Sequence, residues 1–340
     1  MNENNSRLNV PSNILKIEPY LPGKPEEELM RELGLTHVIK MASNENCFGP
    51  SPAALEVMKT SLEKVHRYPD GNGYYLKKAL SEKLGVQPGR IILGNGSTDL
   101  IEIIARTYLE AGFNTVTADQ TFLMYRVVTV GMNAECKTVP LQDFTFDLTA
   151  ILNAIDDHTR LVYIANPNNP TGTIVKKDAL ESFLKRVPSG VLVVLDEAYF
   201  DYVDEPDYVS GLEFLDRFEN IIVLRTFSKI HGLAGIRIGY AIASEELIKH
   251  LNRIRPPFNT SSVAQSAAIA ALSDLNYINF SRDTNRQQRE LLQNKLGGLK
   301  IPFIPSVTNF VLIPFADAER IFKELLVRGI IVRSMRSLNC

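Results

Sequence analysis

The sequence predicts an α/β protein. It has a three-layer large domain with a mostly parallel sheet, a smaller α+β C-terminal domain and an N-terminal arm. Three observations carry this. Short apolar runs, such as Val191-Leu192-Val193-Val194-Leu195 and Ile221-Ile222-Val223-Leu224, have the length of buried strands. Strand-like and helix-like segments alternate across about 180 residues, the pattern of a parallel sheet covered on both faces by right-handed crossovers. After Arg255-Pro256-Pro257-Phe258-Asn259 the pattern changes to long helices with a few short strands, which marks a second unit. The division expected is an arm over 1–40, a large domain over 41–255 and a small domain over 256–340.

In chain order, Pro19 to Pro25 reads as a Pro-rich turn, 26–33 as a short charged helix and 38–41 as a strand. Ala42-Ser43-Asn44-Glu45-Asn46 begins a polar loop, where Asn44 is a turn former or a ligand contact. Residues 52–65 form a helix pattern that ends in the turn signal Arg67-Tyr68-Pro69-Asp70-Gly71. Helix 76–84 precedes strand 90–93, which runs through Gly94-Asn95-Gly96-Ser97-Thr98-Asp99 into helix 100–109. A glycine-bearing turn between strand and helix offers backbone N–H groups and the positive helix end to an anion. Strand 115–118 leads to Phe122, a core residue or a ring able to lie flat on an aromatic ligand.

Strand 160–165 ends in the rigid loop Asn166-Pro167-Asn168-Asn169-Pro170-Thr171-Gly172. As structure it is a tight turn; as function it would hold an asparagine amide in place with little entropy to lose. Helices are expected at 180–185, 245–255, 262–272, 276–296 and 316–328, with strands at 310–313 and 330–333.

The chemistry concentrates at two strand ends. Lys229 follows Thr226-Phe227-Ser228 on the loop that leaves the 221–224 strand, and Arg237 lies eight positions later. Open α/β sheets place ligands at such strand ends. A lysine there can form an imine with an aldehyde if its surroundings lower its pKa, while Thr226, Ser228 and Arg237 supply donors for an anion such as a phosphate. Asp196 ends the 191–195 run, and Tyr199 follows three residues later. A buried carboxylate can keep a ring nitrogen protonated, which an electron-sink cofactor requires. A lysine imine, an acid and a phosphate cradle together point to pyridoxal phosphate.

Composition narrows the partners. A net charge of -2 argues against nucleic-acid or membrane binding driven by charge. The scattered Cys47, Cys136 and Cys340 make no metal-ligand spacing and fit reduced thiols of a cytoplasmic protein, so no metal is expected. The polar start, 1–9, is unlike a secretory signal.

Assembled in this order, Asn-Pro-Asn-Asn-Pro-Thr-Gly at 166–172, Asp-Glu-Ala-Tyr at 196–199 and Thr-Phe-Ser-Lys at 226–229 with Arg237 resemble the fold-type I pyridoxal-phosphate-dependent aminotransferases. The resemblance spans nearly the full length. Ser-Asn-Glu-Asn at 43–46, Arg-Tyr-Pro-Asp at 67–70 and Arg-Pro-Pro-Phe-Asn at 255–259 are similar to a branch that acts on a phosphorylated amino alcohol in histidine biosynthesis. This likeness implies that Lys229 holds the cofactor and then moves a proton, while Asp196 pairs with the ring nitrogen. Tyr199 and Asn169 would bond the ring oxygen, and Phe122 would stack on the ring. Gly96, Ser97, Thr98, Thr226, Ser228 and Arg237 would surround the cofactor phosphate. It also implies that Tyr68 reaches the cofactor phosphate of a neighbouring subunit in a homodimer with shared sites, and that Tyr20, Asn44 and Arg333 line a substrate pocket. Arg333 could equally be a surface arginine that ends an edge strand.

The expected activity is ping-pong amino transfer between glutamate and the phosphorylated substrate. Alternatives are an aromatic amino-acid aminotransferase, a decarboxylase of the threonine-phosphate type, or a non-catalytic relative; no helix-turn-helix or basic extension favours a regulator. Family members continue past the Arg333 strand into another strand, which bears a further arginine, and a helix. The sequence stops at Ser337-Leu338-Asn339-Cys340, so truncation or loss of that tail is expected, with every cofactor contact upstream.

Overall fold

The structure, a computed structural model, describes residues 9–19 and 23–335. Tyr20 therefore lies outside the described residues. The strands in chain order are β1 (Ile39–Lys40), β2 (Ile91–Gly94), β3 (Asn114–Ala118), β4 (Glu135–Val139), β5 (Thr159–Ala165), β6 (Leu192–Asp196), β7 (Ile221–Thr226), β8 (Gly239–Ile242) and β9 (Ile330–Ile331). The first five helices are α1 (Glu26–Leu33), α2 (Pro52–Ser61), α3 (Tyr74–Leu84), α4 (Ser97–Tyr108) and α5 (Met124–Gly131). They are followed by α6 (Leu148–Ala154), α7 (Lys177–Leu184), α8 (Glu245–Ile254), α9 (Ser262–Ser273), α10 (Leu275–Gly298) and α11 (Ala318–Val327).

Among the described residues, seven strands form one sheet in the order β2-β8-β7-β6-β5-β3-β4. β3, β4, β5, β6 and β7 pair in parallel, while β8 runs antiparallel to both β7 and β2. Strands β5, β6 and β7 are almost wholly buried, as expected of apolar runs covered on both faces. The register pairs Ala165 with Asp196 and Asp196 with Leu224. It thereby brings the carboxyl ends of β5, β6 and β7 to one edge, where Asn169, Asp196 and Lys229 emerge.

Some expectations are revised. Residues 310–313 form no strand; a single bridge joins Ile304 to Leu312. The arm is not separate from the C-terminal unit, because β1 pairs in parallel with β9 and Leu29, Val38 and Ala42 share a small core with Ile331. Helix α9, beyond the expected boundary at 255, buries Ala264, Ala267, Ala268 and Ala271 in the core of the sheet. Its alanine face lets α2 and α3 approach closely. No helix among the described residues is long and apolar enough to cross a membrane.

Candidate active site

A cleft of about 640 Å³ opens at the carboxyl edge of the parallel strands. Its walls contain Asn44, Ser97, Thr98, Phe122, Asn169, Asp196, Tyr199, Thr226, Ser228, Lys229, Arg237 and Arg333, all expected from the sequence. The structure therefore brings most of the candidates to one place.

Asp196 ends β6 and is 5% exposed. Burial pushes its carboxyl up to about 6, although hydrogen bonds from the Tyr125 hydroxyl (2.8 Å) and the Ala198 backbone N–H (3.1 Å) pull the other way. Tyr125, itself raised well above its ordinary value by burial and then by Asp196, stacks on Tyr163 with ring centroids 4.6 Å apart. Behind Asp196, Glu197 forms a buried ion pair with Arg225, with Nη2 to Oε2 at 2.9 Å. Glu197 also accepts from Ser210 and from the Gly211 backbone N–H. Both oxygens of this buried carboxylate are thus engaged, which helps to fix the segment from Asp196 to Tyr199.

Lys229 is only partly buried. Its Nζ lies 5.3 Å from the Tyr199 ring centroid and donates to the Ser43 carbonyl at 3.2 Å. The Tyr199 hydroxyl accepts from the side-chain amides of Asn44 (3.0 Å) and Asn169 (3.4 Å). A phenol that accepts twice keeps its own proton for a further partner in the cleft. Ser43 and Asn44 have φ of 72° and 52°, so two adjacent residues in the left-handed region shape the loop facing Lys229. Gly232, at φ +67°, lets this lysine loop lie against the backbone at Gly49, where a methyl group would overlap.

The anion cradle sits at the N-terminus of α4. Gly96 has φ +80° and precedes Ser97 at the first helical position. Arg237 Nη1 donates to Ser228 Oγ at 3.2 Å, and the Thr226 hydroxyl donates to the same oxygen at 2.9 Å. A methyl group on Gly96 would overlap the Arg237 guanidinium, so this cradle is shaped by the absence of a side chain. Gly96→Ala is expected to weaken retention of a phosphate-bearing cofactor by at least about 10-fold, since the substitution displaces a charge-assisted donor as well as straining the backbone. Equilibrium dialysis of the apo-protein measures this, and unchanged retention contradicts it.

The motifs at 67–70 and 255–259 meet behind the cradle. Arg255 Nη1 donates to the Gly71 carbonyl at 2.9 Å and to Asn259 Oδ1 at 3.0 Å. Asn259 then donates to Asp99 Oδ2 at 2.8 Å, and Asp99 in turn receives the Asn95 backbone N–H. Tyr68 is 84% exposed and stacks on Phe258, with ring centroids 4.7 Å apart. It does not line the cleft of its own chain.

Sequence reading missed Tyr125, the Glu197–Arg225 pair and Asn309, whose amide donates to the Asn44 carbonyl at 3.0 Å. For Tyr125 no local signal exists, because its partner lies 71 positions away. A buried carboxylate near Lys229, a phenol with a free proton and a cradle with no room for a Cβ at Gly96 fit pyridoxal phosphate: Lys229, Asp196, Tyr199, Asn169 and Phe122 would lie at its ring, and the α4 N-terminus with Ser228 and Arg237 at its phosphate.

An α/β sheet that presents an amine, an acid and an anion cradle at one edge defines a class of group-transfer enzymes, and the chain belongs to the class I and II aminotransferases, whose family profile matches residues 36–340. Particular relatives are histidinol-phosphate aminotransferases. That of Caldicellulosiruptor saccharolyticus is 49% identical over 321 residues, covering 94% of this chain and 90% of the relative. That of Moorella thermoacetica is 47% identical over 94% of this chain and 84% of the relative. The crystal structure of histidinol-phosphate aminotransferase from Sinorhizobium meliloti, in complex with pyridoxal-5'-phosphate, superposes with a TM-score of 0.88 at 31% identity, covering 96% of this chain and 90% of that one.

Proposed function

We propose that the chain is a pyridoxal-phosphate-dependent transaminase of histidine biosynthesis. It moves an amino group from glutamate to imidazole-acetol phosphate, giving 2-oxoglutarate and histidinol phosphate. The observation that carries this reading is the placement of Lys229 and Asp196 in one cleft beside the Gly96–Arg237 cradle. Relatives of 47–49% identity over most of the chain support the choice of substrate pair.

Bound pyridoxal phosphate supplies an electron sink for charge that develops at the substrate Cα. The residues do the rest. Lys229 retains the cofactor and moves the proton at the substrate Cα. Asp196 would stay ionised against the ring nitrogen and hold its proton there, while Tyr199, oriented by Asn44 and Asn169, would donate to the ring oxygen. Phe122 would pack on the ring, and Ser97, Thr98, Thr226, Ser228 and Arg237 would hold the phosphate. Both half-reactions use this cleft, with Asn44 and Arg333 at its substrate end. An arginine suits both substrates, because its planar fork fits a carboxylate or a phosphate.

We further propose a cytoplasmic homodimer with shared sites. The exposure of Tyr68, held on Phe258 and turned away from its own cleft, supports its reaching the partner's cofactor.

Half-reaction spectra test the activity. Glutamate is expected to abolish the absorption band of the lysine-bound cofactor, and imidazole-acetol phosphate to restore it. Release of carbon dioxide, or restoration only by aromatic keto acids, would reject this reading in favour of a decarboxylase or an aromatic aminotransferase.

A further inference from the structure

The groups assigned to the cofactor lie on β5–β7, their following loops, α4 and Phe122. The opposite wall of the cleft is built from α10, residues 309–315, α11 and residues 332–335. Helix α10 turns Asn285, Gln288, Arg289 and Leu292 toward the cleft, the spacing of one helical face. Asn285 is engaged, donating to the Thr308 carbonyl at 3.1 Å. Arg289 is different. Its side chain is 8% exposed, and Nη2 lies 3.3 Å from Asp204 Oδ1. Its Nε and Nη1 are buried, and neither has a partner among the described residues. On the same wall, the buried Asn309 Oδ1 also has no partner, while the Asn309 amide holds the Asn44 carbonyl.

A guanidinium taken out of water and left short of acceptors is costly, and an anion that enters the cleft removes that cost. We infer that Arg289 is a specificity-determining contact for the phosphate monoester of the phosphorylated substrate, with Asn309 Oδ1 accepting an N–H or O–H of the same molecule. The inference rests on the amino-transfer reading given above. Nε carries one N–H and Nη1 two, so three donors await acceptors; a phosphate monoester offers three terminal oxygens, and a carboxylate only two. Asp204, itself 27% exposed, steadies the guanidinium from the far side without occupying those donors. Arg289 thus distinguishes the two substrates that share the cleft, favouring the phosphorylated one over glutamate.

The test uses holoenzyme with Arg289→Gln, Arg289→Lys and Asp204→Asn. For Arg289→Gln, KM for histidinol phosphate is expected to rise about 10- to 100-fold. kcat and KM for glutamate are expected to stay within about 3-fold, and Arg289→Lys to recover part of the loss. Inorganic phosphate is expected to compete with glutamate in the parent and in Asp204→Asn, and to lose that competition in Arg289→Gln. Equal losses in both half-reactions, undiminished competition by phosphate in Arg289→Gln, or the same defect in Asp204→Asn would show that Arg289 only ties α10 to the Asp204 segment. If the parent fails to turn over histidinol phosphate, the substrate assignment falls, and the phosphate-competition arm still decides the role of Arg289.

Discussion

Replacing Lys229 with alanine is expected to lower amino transfer by about 10⁴-fold or more, because in the proposed mechanism one side chain both retains the cofactor and moves the substrate proton. The structure makes this a clean substitution. Lys229 Nζ is partly exposed to the cleft, and its hydrogen bond is to the Ser43 carbonyl. Removing it takes a favourable charge from the neighbourhood of Asp196, which keeps its hydrogen bonds from Tyr125 and Ala198, and the core around Phe227 and Ile230 is untouched. Thermal unfolding of the apo-variant should match the apo-parent within a few degrees, while kcat collapses even with cofactor added. Turnover within about 10-fold of the parent would end the enzyme reading in its present form.

Asp196→Asn is expected to lower kcat by about 10²- to 10³-fold, since a neutral amide cannot hold positive charge on the ring nitrogen. The same substitution has an opposite effect on the protein without cofactor. An unfolded aspartate titrates near 3.9, whereas burial places Asp196 at about 6. Between those two pH values the folded chain keeps a proton that the unfolded chain has lost. Stability of the apo-protein therefore falls as pH rises through that window, by about 3 kcal/mol at most. Removing the carboxylate removes that loss, offset in part by a weaker bond from Tyr125. The apo-variant should unfold at a higher denaturant concentration than the apo-parent at pH 7.5, and the two should converge at pH 4. Saturation with pyridoxal phosphate should reverse the order at pH 7.5, because the ionised carboxylate then has a cationic partner. An apo-variant less stable than the parent at pH 7.5 would show that the carboxylate is not held against its tendency to ionise.

The other expectations depend on the same edge of the sheet. The turn at Gly96 is braced by Asp99, Asn259 and Arg255, so under the proposed function the motifs around 67–70 and 255–259 would act through the loop assigned to the phosphate rather than through the reacting atoms. This separates binding of the cofactor from the chemistry of Lys229 and Asp196, and lets the two kinds of variant be read apart.

What the sequence alone determined is the part of the site written in short segments. An apolar run followed by Asp196 and Tyr199, another followed by Thr226, Ser228 and Lys229, and the loop from Asn166 to Gly172 are each a strand end with its own loop. Their placement at one edge follows from parallel pairing, which the alternation of strands and helices already implied. The antiparallel β8, of 4 residues, and the helices α5 and α6, of 8 and 7, were not legible, because segments this short span too few periods for a pattern to stand out.

Tertiary structure alone decided which distant residues support those loops. Tyr125 finds Asp196, Asn309 finds Asn44, Arg225 finds Glu197, and β1 of the arm pairs with β9 near the other end of the chain. It also moved α9 into the core of the sheet and left 310–313 without strand partners. Local propensity sets where a strand stops and a loop begins. The partner of a buried polar group is set by how whole elements pack, and no pattern within a few residues encodes that.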